Sequence, residues 1–173
     1  HTIGEAVTVS GVGLHTGIET QMTFLPAEPN YGVKFQRTDL EGRPIIHADV
    51  DNVVDISRGT TLEESGARIN TVEHTMAALA GLQIDNCLIQ LDGPEPPIMD
   101  GSSQMFIQAL ERAGLNEQNA LRNFLEVQEG IFYRESERNV EIAALPLDDY
   151  RVTVMVDYNS PVLGSQHASL NDI

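Results

Sequence analysis

A carboxylate and an imidazole stand side by side at Glu73-His74, in the segment Thr71-Val72-Glu73-His74. An imidazole nitrogen can bind zinc, and a neighbouring carboxylate can take a proton from a water molecule that attacks a substrate. Catalytic zinc sites normally have three protein ligands. No His-Glu-x-x-His segment, cysteine pair or second nearby histidine accompanies this pair, so its signal for metal-assisted hydrolysis is weak.

The same pair has a purely structural interpretation. Asn70 precedes Glu73 by three positions, which matches a capping box, in which the glutamate satisfies backbone amides at the start of a helix. His74 would then be a surface residue. From the pair alone this structural interpretation is favoured, because a single histidine does not make a metal site.

The other candidates carry less information. His15 lies in a loop with three glycines (11–17), where backbone can approach a ligand closely, although a plain turn between two strands explains the loop almost as well. The loop lacks the Lys-Ser/Thr ending of a phosphate-binding loop. His47 and His167 are predicted at the surface or at sheet edges, and Asp100 is predicted to cap a helix.

Alternating side chains predict that the chain begins with strands. One strand places a set of mainly apolar residues on a single face: Ile18, Thr20, Met22 and Phe24. Further strands are predicted over 32–37 and 45–50. Residues 51–70 are predicted to leave the main sheet as a small insert, with strands 60–62 and 67–69 joined by a four-residue loop.

Two helices are predicted next. The first runs from Asn70 or Thr71 to about Ala80, with Gly81 just after its end. A strand over 86–91 separates it from the second helix, which follows Asp100-Gly101-Ser102 and stops at Gly114. The inward stripe of the second helix is Phe106, Ala109, Leu110 and Ala113.

Residues 116–123 are polar and are predicted to be a linker between a first domain (2–115) and a second (124–173). The second domain is predicted to hold strands over 125–128, 130–134, 140–144 and 152–158. No helix follows before Ile173 to cover them, and a lone sheet face would leave apolar side chains in water. The sequence is therefore interpreted as part of a longer protein.

The composition disfavours some classes of function. The 26 acidic residues against 10 basic residues give a formal charge of -16, which disfavours binding to nucleic acid or to anionic membranes. The single cysteine, Cys87, lies in an apolar run and is predicted to be buried and inert. A reducing cytoplasm is therefore the expected compartment, and no apolar stretch is long enough for a transmembrane helix.

Three segments together resemble one family, the UDP-3-O-acyl-N-acetylglucosamine deacetylases (the LpxC family). They are the glycine loop 11–17, the segment 71–74 with its continuation through Asp85-Asn86, and the segment 93–102. The resemblance covers residues 2–114 closely and 124–173 more loosely. It implies an α+β fold of two similar domains, each with two helices packed on a mostly antiparallel sheet, and an active site between them.

The resemblance also implies an activity, the zinc-dependent hydrolysis of the acetamide of UDP-3-O-acyl-N-acetylglucosamine, which commits this substrate to lipid A synthesis. Carried over by position, His74 is a zinc ligand and Glu73 is the general base. Leu14 and His15 match loop positions close to the substrate. The insert at 51–70 lies beside the site.

The sequence departs from the family by omission. The family's other zinc ligands (a His and an Asp four residues apart), its oxyanion-side Thr and its general-acid His all belong to the second domain, and none precedes Ile173. The chain as given is thus predicted to be inactive and to bind zinc weakly at best. Some relatives continue into a fused 3-hydroxyacyl-carrier-protein dehydratase domain. The alternative is a non-catalytic α+β domain for binding or assembly.

Overall fold

A computed structural model of the chain describes residues 1–171, which form two units, residues 1–121 and the residues from Arg122 onward. The last two positions of the predicted second domain, 172 and 173, lie outside the described residues. No helix within residues 1–171 has both the length and the apolar character needed to cross a membrane.

The first unit combines strands and helices. In chain order its elements are β1 (Thr2–Ile3), β2 (Val7–Val12), β3 (Glu19–Pro26), β4 (Val33–Arg37), β5 (Ile45–His47), a 3-10 turn (Val50–Asn52), β6 (Val53–Asp55), β7 (Thr61–Glu64), β8 (Ala67–Ile69), α1 (Glu73–Gly81), β9 (Cys87–Leu91), α2 (Gln104–Ala113) and β10 (Leu115–Asn116).

A five-stranded sheet with the order β2-β3-β9-β4-β5 forms one layer of this unit. Its pairs are antiparallel except β4 with β9, where Phe35 lies opposite Ile89 in a parallel register. That parallel pair requires a long crossover, and the insert and α1 supply it. The predicted α+β fold with a mostly antiparallel sheet is confirmed.

Side chains of one sheet face and of the two helices share a single core. Along β3, Thr20, Met22 and Phe24 are buried, as the period-two alternation predicted, but Ile18, which the sequence placed on the same face, precedes the strand and is 47% exposed. The predicted inward stripe of α2 is also buried, and its Phe106 meets Phe24 edge-on with ring centroids 6.5 Å apart. Cys87 is fully buried in the same core, and burial raises the pKa of its thiol to about 12.

The insert differs from its prediction in the turn. The strands β7 and β8 form the expected hairpin, but Glu64 pairs with Ala67, so the loop has two residues rather than four. Ser65 and Gly66 both have positive φ, 51° and 78°, which is the backbone of the tight turn that matches strand twist. An additional strand, β6, pairs with β7 and completes a three-stranded sheet.

Both ends of the first helix differ from the predicted bounds. The helix begins at Glu73 rather than at residue 70 or 71, because Thr71 has a φ of 56°, which a right-handed helix cannot include. The predicted capping box is therefore wrong, and the amide of Asn70 instead donates to the carbonyl of Pro94. At the other end Gly81 is helical, and the left-handed residue after the helix is Gln83.

Part of the segment predicted as a linker lies within the first unit. Asn116 pairs with Thr2 in the small β1–β10 sheet. Two residues on, the side chain of Gln118 donates to the carbonyl of Ala27 and accepts from the side-chain NH₂ of Asn86. These polar side chains satisfy buried backbone and side-chain groups, which is why a polar composition here did not indicate a free connection.

The second unit consists of two hairpins within its described residues. They are β11 (Ile131–Glu135) with β12 (Val140–Ala144), and β13 (Arg151–Asp157) with β14 (Ser165–Asn171). The strand predicted over 125–128 does not form, and β14 was not predicted. The side chain of His167 on β14 is exposed, as is that of His47 on β5 at the edge of the main sheet, so both surface predictions are confirmed.

Candidate active site at the start of the first helix

Glu73 and His74 are the first two residues of α1, and both are half-buried. The residues before them, Thr71 and Val72, are buried. The chain therefore enters the helix from inside the unit, and the carboxylate and the imidazole are presented where the buried segment reaches the surface.

The carboxylate of Glu73 is held by the segment that precedes β7. Its Oε2 accepts a 2.9 Å hydrogen bond from the amide of Thr60, and the amide of Val72 donates back to the Thr60 carbonyl at 3.2 Å. A Cβ on Gly59 would lie 3.0 Å from Glu73 Oε1, so a larger residue here would press on the carboxylate. Within residues 1–171 no hydrogen bond reaches Oε1.

His74 is held by its backbone alone. Its carbonyl accepts a 2.9 Å hydrogen bond from Ser103 Oγ, just before α2. Neither ring nitrogen has a hydrogen-bond partner in the described part of the chain, so the ring is available to a ligand. No group of three or more His, Cys, Asp or Glu side chains able to hold a metal occurs among residues 1–171.

The glycine loop reaches the same segment from the other side. His15 Nε2 lies 3.0 Å from the carbonyl of Arg58, two residues before Thr60, which holds Glu73. Leu14 is 55% exposed. The structure thus brings His15 and Glu73 to one short segment, but no hydrogen bond or ion pair within the described residues joins Leu14 or His15 directly to Glu73 or His74.

One residue of this region was not singled out from the sequence. Glu95 is fully buried, and its carboxylate accepts hydrogen bonds from the amides of His15 and Thr16 and from the hydroxyls of Thr16 and Thr71. Its position beside prolines in an apolar run was the only local signal, and that signal does not reveal partners.

The environment of Glu95 keeps it ionised. Burial raises the pKa of this carboxyl, but the hydrogen bonds from Thr71, Thr16 and His15 outweigh burial and hold the pKa below its usual range. A buried carboxylate that accepts hydrogen bonds from several N–H and O–H groups is stable without a neighbouring cation. Glu95 is therefore an anchor for the chain around it.

Asp100 does not cap α2 as predicted. Its Oδ1 accepts hydrogen bonds from the amide and the hydroxyl of Ser102, which lower the pKa of Asp100. The helix begins two residues later, at Gln104, after the cap position Ser103. Asp100 therefore closes the turn before the helix, because its side chain is too far back along the chain to reach the first helical amides.

Comparison with known proteins decides the family. The model of the family described as UDP-3-O-acyl N-acetylglycosamine deacetylase, LpxC, matches residues 1–172. The chain belongs to the LpxC family. It is similar to the bifunctional enzyme LpxC/FabZ of Chlorobaculum tepidum, with 51% identity over 172 residues, and to the corresponding enzyme of Bacteroides thetaiotaomicron, with 45% identity.

Two further LpxC relatives carry only the deacetylase name. The chain is 40% identical over 171 residues to the UDP-3-O-acyl-N-acetylglucosamine deacetylase of Myxococcus xanthus, and 42% identical over 164 residues to that of Haemophilus influenzae. Nearly all of this chain is covered in each case, 98% and 94%. The chain spans about half the length of these two relatives, 54% and 53%, and 37% of the bifunctional ones.

Proposed function

We propose that this chain is the part of a zinc-dependent deacetylase that supplies the general base and one zinc ligand. The substrate is UDP-3-O-acyl-N-acetylglucosamine, and the reaction is hydrolysis of its N-acetyl group, the committed step of lipid A synthesis. Membership of the LpxC family and the deacetylase names of the relatives support this assignment.

The observation that carries the proposal is the contrast between Glu73 and its neighbour. Glu73 is fixed by the Thr60 amide on one oxygen, whereas the His74 ring has no partner in residues 1–171. Within residues 1–171 the ring nitrogens of His74 are not enclosed by the protein, so they are accessible to a ligand. Two adjacent side chains of this kind suit a base and a metal ligand.

His74 fits the role of one zinc ligand among several. His74 is a borderline-soft nitrogen donor of the kind that zinc prefers, and its unpaired ring leaves a nitrogen free to bind. When bound, zinc would polarise the acetamide carbonyl and make the attacking water more acidic. No described cluster holds three donors, so we propose that the other ligands come from a further part of the protein.

Glu73 would act as the base. With Oε2 held by the Thr60 amide, Oε1 is the oxygen that can accept a proton from the attacking water. The hydrogen bond also restricts rotation of the carboxylate, so Oε1 keeps one orientation relative to the helix start. Leu14 and His15 would contact the substrate from the glycine loop.

Three further proposals concern the whole protein. We propose that residues 124–173 begin a second domain and that the chain without its remaining ligands neither hydrolyses the substrate nor binds zinc tightly. The identities to bifunctional LpxC/FabZ enzymes support a fused second enzyme, as in those relatives. The buried, unpaired thiol of Cys87 is compatible with a cytoplasmic location.

The test uses the full-length protein that contains this chain. Glu73→Gln should abolish most deacetylation while zinc content, measured by atomic absorption, stays near one per chain. His74→Ala should lose both activity and zinc. Glu19→Gln, an exposed carboxylate of β3, is the matched control and should behave like the wild type. Turnover close to wild type in either site variant would refute the assigned roles.

A further inference from the structure

The carboxylate of Glu95 is the point at which three separate segments meet. His15 and Thr16 approach it from the glycine loop, and Thr71 approaches it from the residues before α1. The distances are 3.1 Å from the His15 amide and 2.8 Å from the Thr16 amide to Oε2, and 2.7 Å from the Thr71 hydroxyl to Oε1. The His15 amide also lies 3.2 Å from Oε1, so both oxygens accept from the loop and Oε1 accepts from Thr71 as well.

The charge on Glu95 distinguishes this cluster from ordinary core packing. A buried carboxylate is destabilising unless donors satisfy it, and an apolar residue would fill the same space without that cost. No ion pair to Glu95 exists within residues 1–171, so the donors of the loop and of Thr71 alone compensate the charge. Conversely, those donors lose their acceptor if the loop moves away from Glu95.

The loop is shaped to reach the carboxylate. A Cβ on Gly13 would lie 2.5 Å from Glu95 Oε2 and 2.6 Å from Thr16 Oγ1, so only glycine allows the loop to close at this point. The amide of Gly17 then donates to the Gly13 carbonyl at 3.0 Å, with Gly17 at a φ of 65°. The two loop residues next to the carboxylate, Leu14 and His15, remain exposed.

We infer that Glu95 is a positioning residue for the reaction, which fixes the glycine loop relative to the start of α1. It holds Leu14 and His15 at a set distance from Glu73 and His74, because the same carboxylate binds the loop on one side and Thr71, two residues before Glu73, on the other. Glu95 is itself fully buried, so it would act through the loop and not by contact with the substrate. This inference rests on the proposed function.

Two measurements on the full-length protein test the inference. In Glu95→Gln the charge is lost, and the one remaining oxygen can accept only uncharged, weaker hydrogen bonds from the loop amides, so hydrogen exchange at His15 and Thr16 should accelerate about tenfold. The KM for the substrate should rise about tenfold or more while kcat changes less, because the loop would orient substrate rather than react with it. Zinc content should stay unchanged. The KM of Glu95→Asp, which keeps the charge, should lie between those of Glu95→Gln and the wild type.

Thr16→Val provides a second variant for the case in which Glu95→Gln does not fold. It removes the Thr16 hydroxyl, which donates to Glu95 and accepts from the Ile18 amide. The bonds from the His15 and Thr16 amides to Glu95 remain, so a smaller shift in the same direction is expected. Thr23→Val is the matched control, because it removes a hydroxyl on β3 that pairs with Thr8 and not with the loop. Unchanged exchange at His15 and Thr16 would overturn the anchoring, and faster exchange with an unchanged KM would overturn the positioning role.

Failure of the proposed function is distinguishable from failure of this inference. A wild-type protein that does not release acetate refutes the deacetylase assignment. The hydrogen-exchange comparison needs no substrate, so it still decides whether Glu95 holds the loop.

Discussion

Thr60 and Glu73 are joined by a 2.9 Å hydrogen bond from the backbone amide of the first to the carboxylate of the second. Thr60 belongs to the insert and Glu73 to the first helix, so the insert fixes the orientation of the proposed base. This relationship replaces the predicted capping box, in which Glu73 would have served only the start of its own helix. It also makes the backbone before β7 part of the candidate site.

Adding a methyl group at Gly59 should disturb this arrangement. A Cβ there would lie 3.0 Å from Glu73 Oε1 and 3.3 Å from Thr71 Oγ1. If Glu73 is the base, as proposed, we expect Gly59→Ala in the full-length protein to lower kcat by about tenfold to a hundredfold, since a displaced carboxylate would lose alignment with the attacking water. Steady-state kinetics would measure the loss.

Gly81→Ala is the matched control for that substitution. Gly81 is helical, and a Cβ there meets nothing within 4 Å. The change should therefore stabilise the protein by about 0.5–1 kcal/mol and leave kcat unchanged. Equal activity of the two variants would show that the position of the Glu73 carboxylate does not limit the reaction.

The stability contributed by Glu95 should depend on pH. Because the folded pKa of this carboxyl is lowered, its contribution is fully present above the unfolded pKa and is lost as the pH falls through the folded pKa. Wild type should therefore begin to lose its advantage over Glu95→Gln as the pH falls below about 4.3, where an unperturbed glutamate titrates. Thermal unfolding of both proteins as the pH is lowered measures the difference.

A constant difference in Tm between wild type and Glu95→Gln from pH 7 to pH 3 would contradict an ionised Glu95. Asp100→Asn is a useful comparison, because the pKa of Asp100 is also lowered by hydrogen bonds but its carboxylate is exposed. Its effect on stability should be smaller at every pH, since solvent already stabilises the charge.

Arg37 should anchor the insert to the main sheet. Its side chain is 9% exposed, it forms a two-pronged ion pair with Asp39, and its Nη1 donates to the carbonyl of Arg68 on β8 at 2.6 Å. Arg37→Lys keeps the charge but cannot make all three bonds, so we expect a loss of about 2 kcal/mol in urea unfolding.

Arg68→Lys is the control that tests whether the stability lost in Arg37→Lys comes from the burial of Arg37. The Arg68 side chain is 65% exposed and pairs with Glu63 at the surface, so its replacement should cost less than about 1 kcal/mol. Exchange of the β8 amides should accelerate in Arg37→Lys and not in Arg68→Lys. Similar effects of both substitutions would contradict an anchoring role for Arg37.

Local patterns in the sequence were sufficient to predict most of the fold. The alternation along β3 and the apolar stripe of α2 predicted which residues are buried, because both depend on the repeat of a single element. Gly114 ends α2 with a φ of 73°, as a glycine after a helix predicts. Errors arose at boundaries, such as the start of α1, where Thr71 adopts a left-handed backbone that no propensity favours.

By itself, the sequence determined the α+β class, the family segments and the identity of the pair Glu73-His74. Only the tertiary structure decided what those residues contact, because their partners are distant along the chain. Glu73 is held from 13 positions away, and Glu95 is bound by His15 from 80 positions away. The type of a side chain limits which hydrogen bonds it can form, but folding alone determines which donors come within about 3 Å of it.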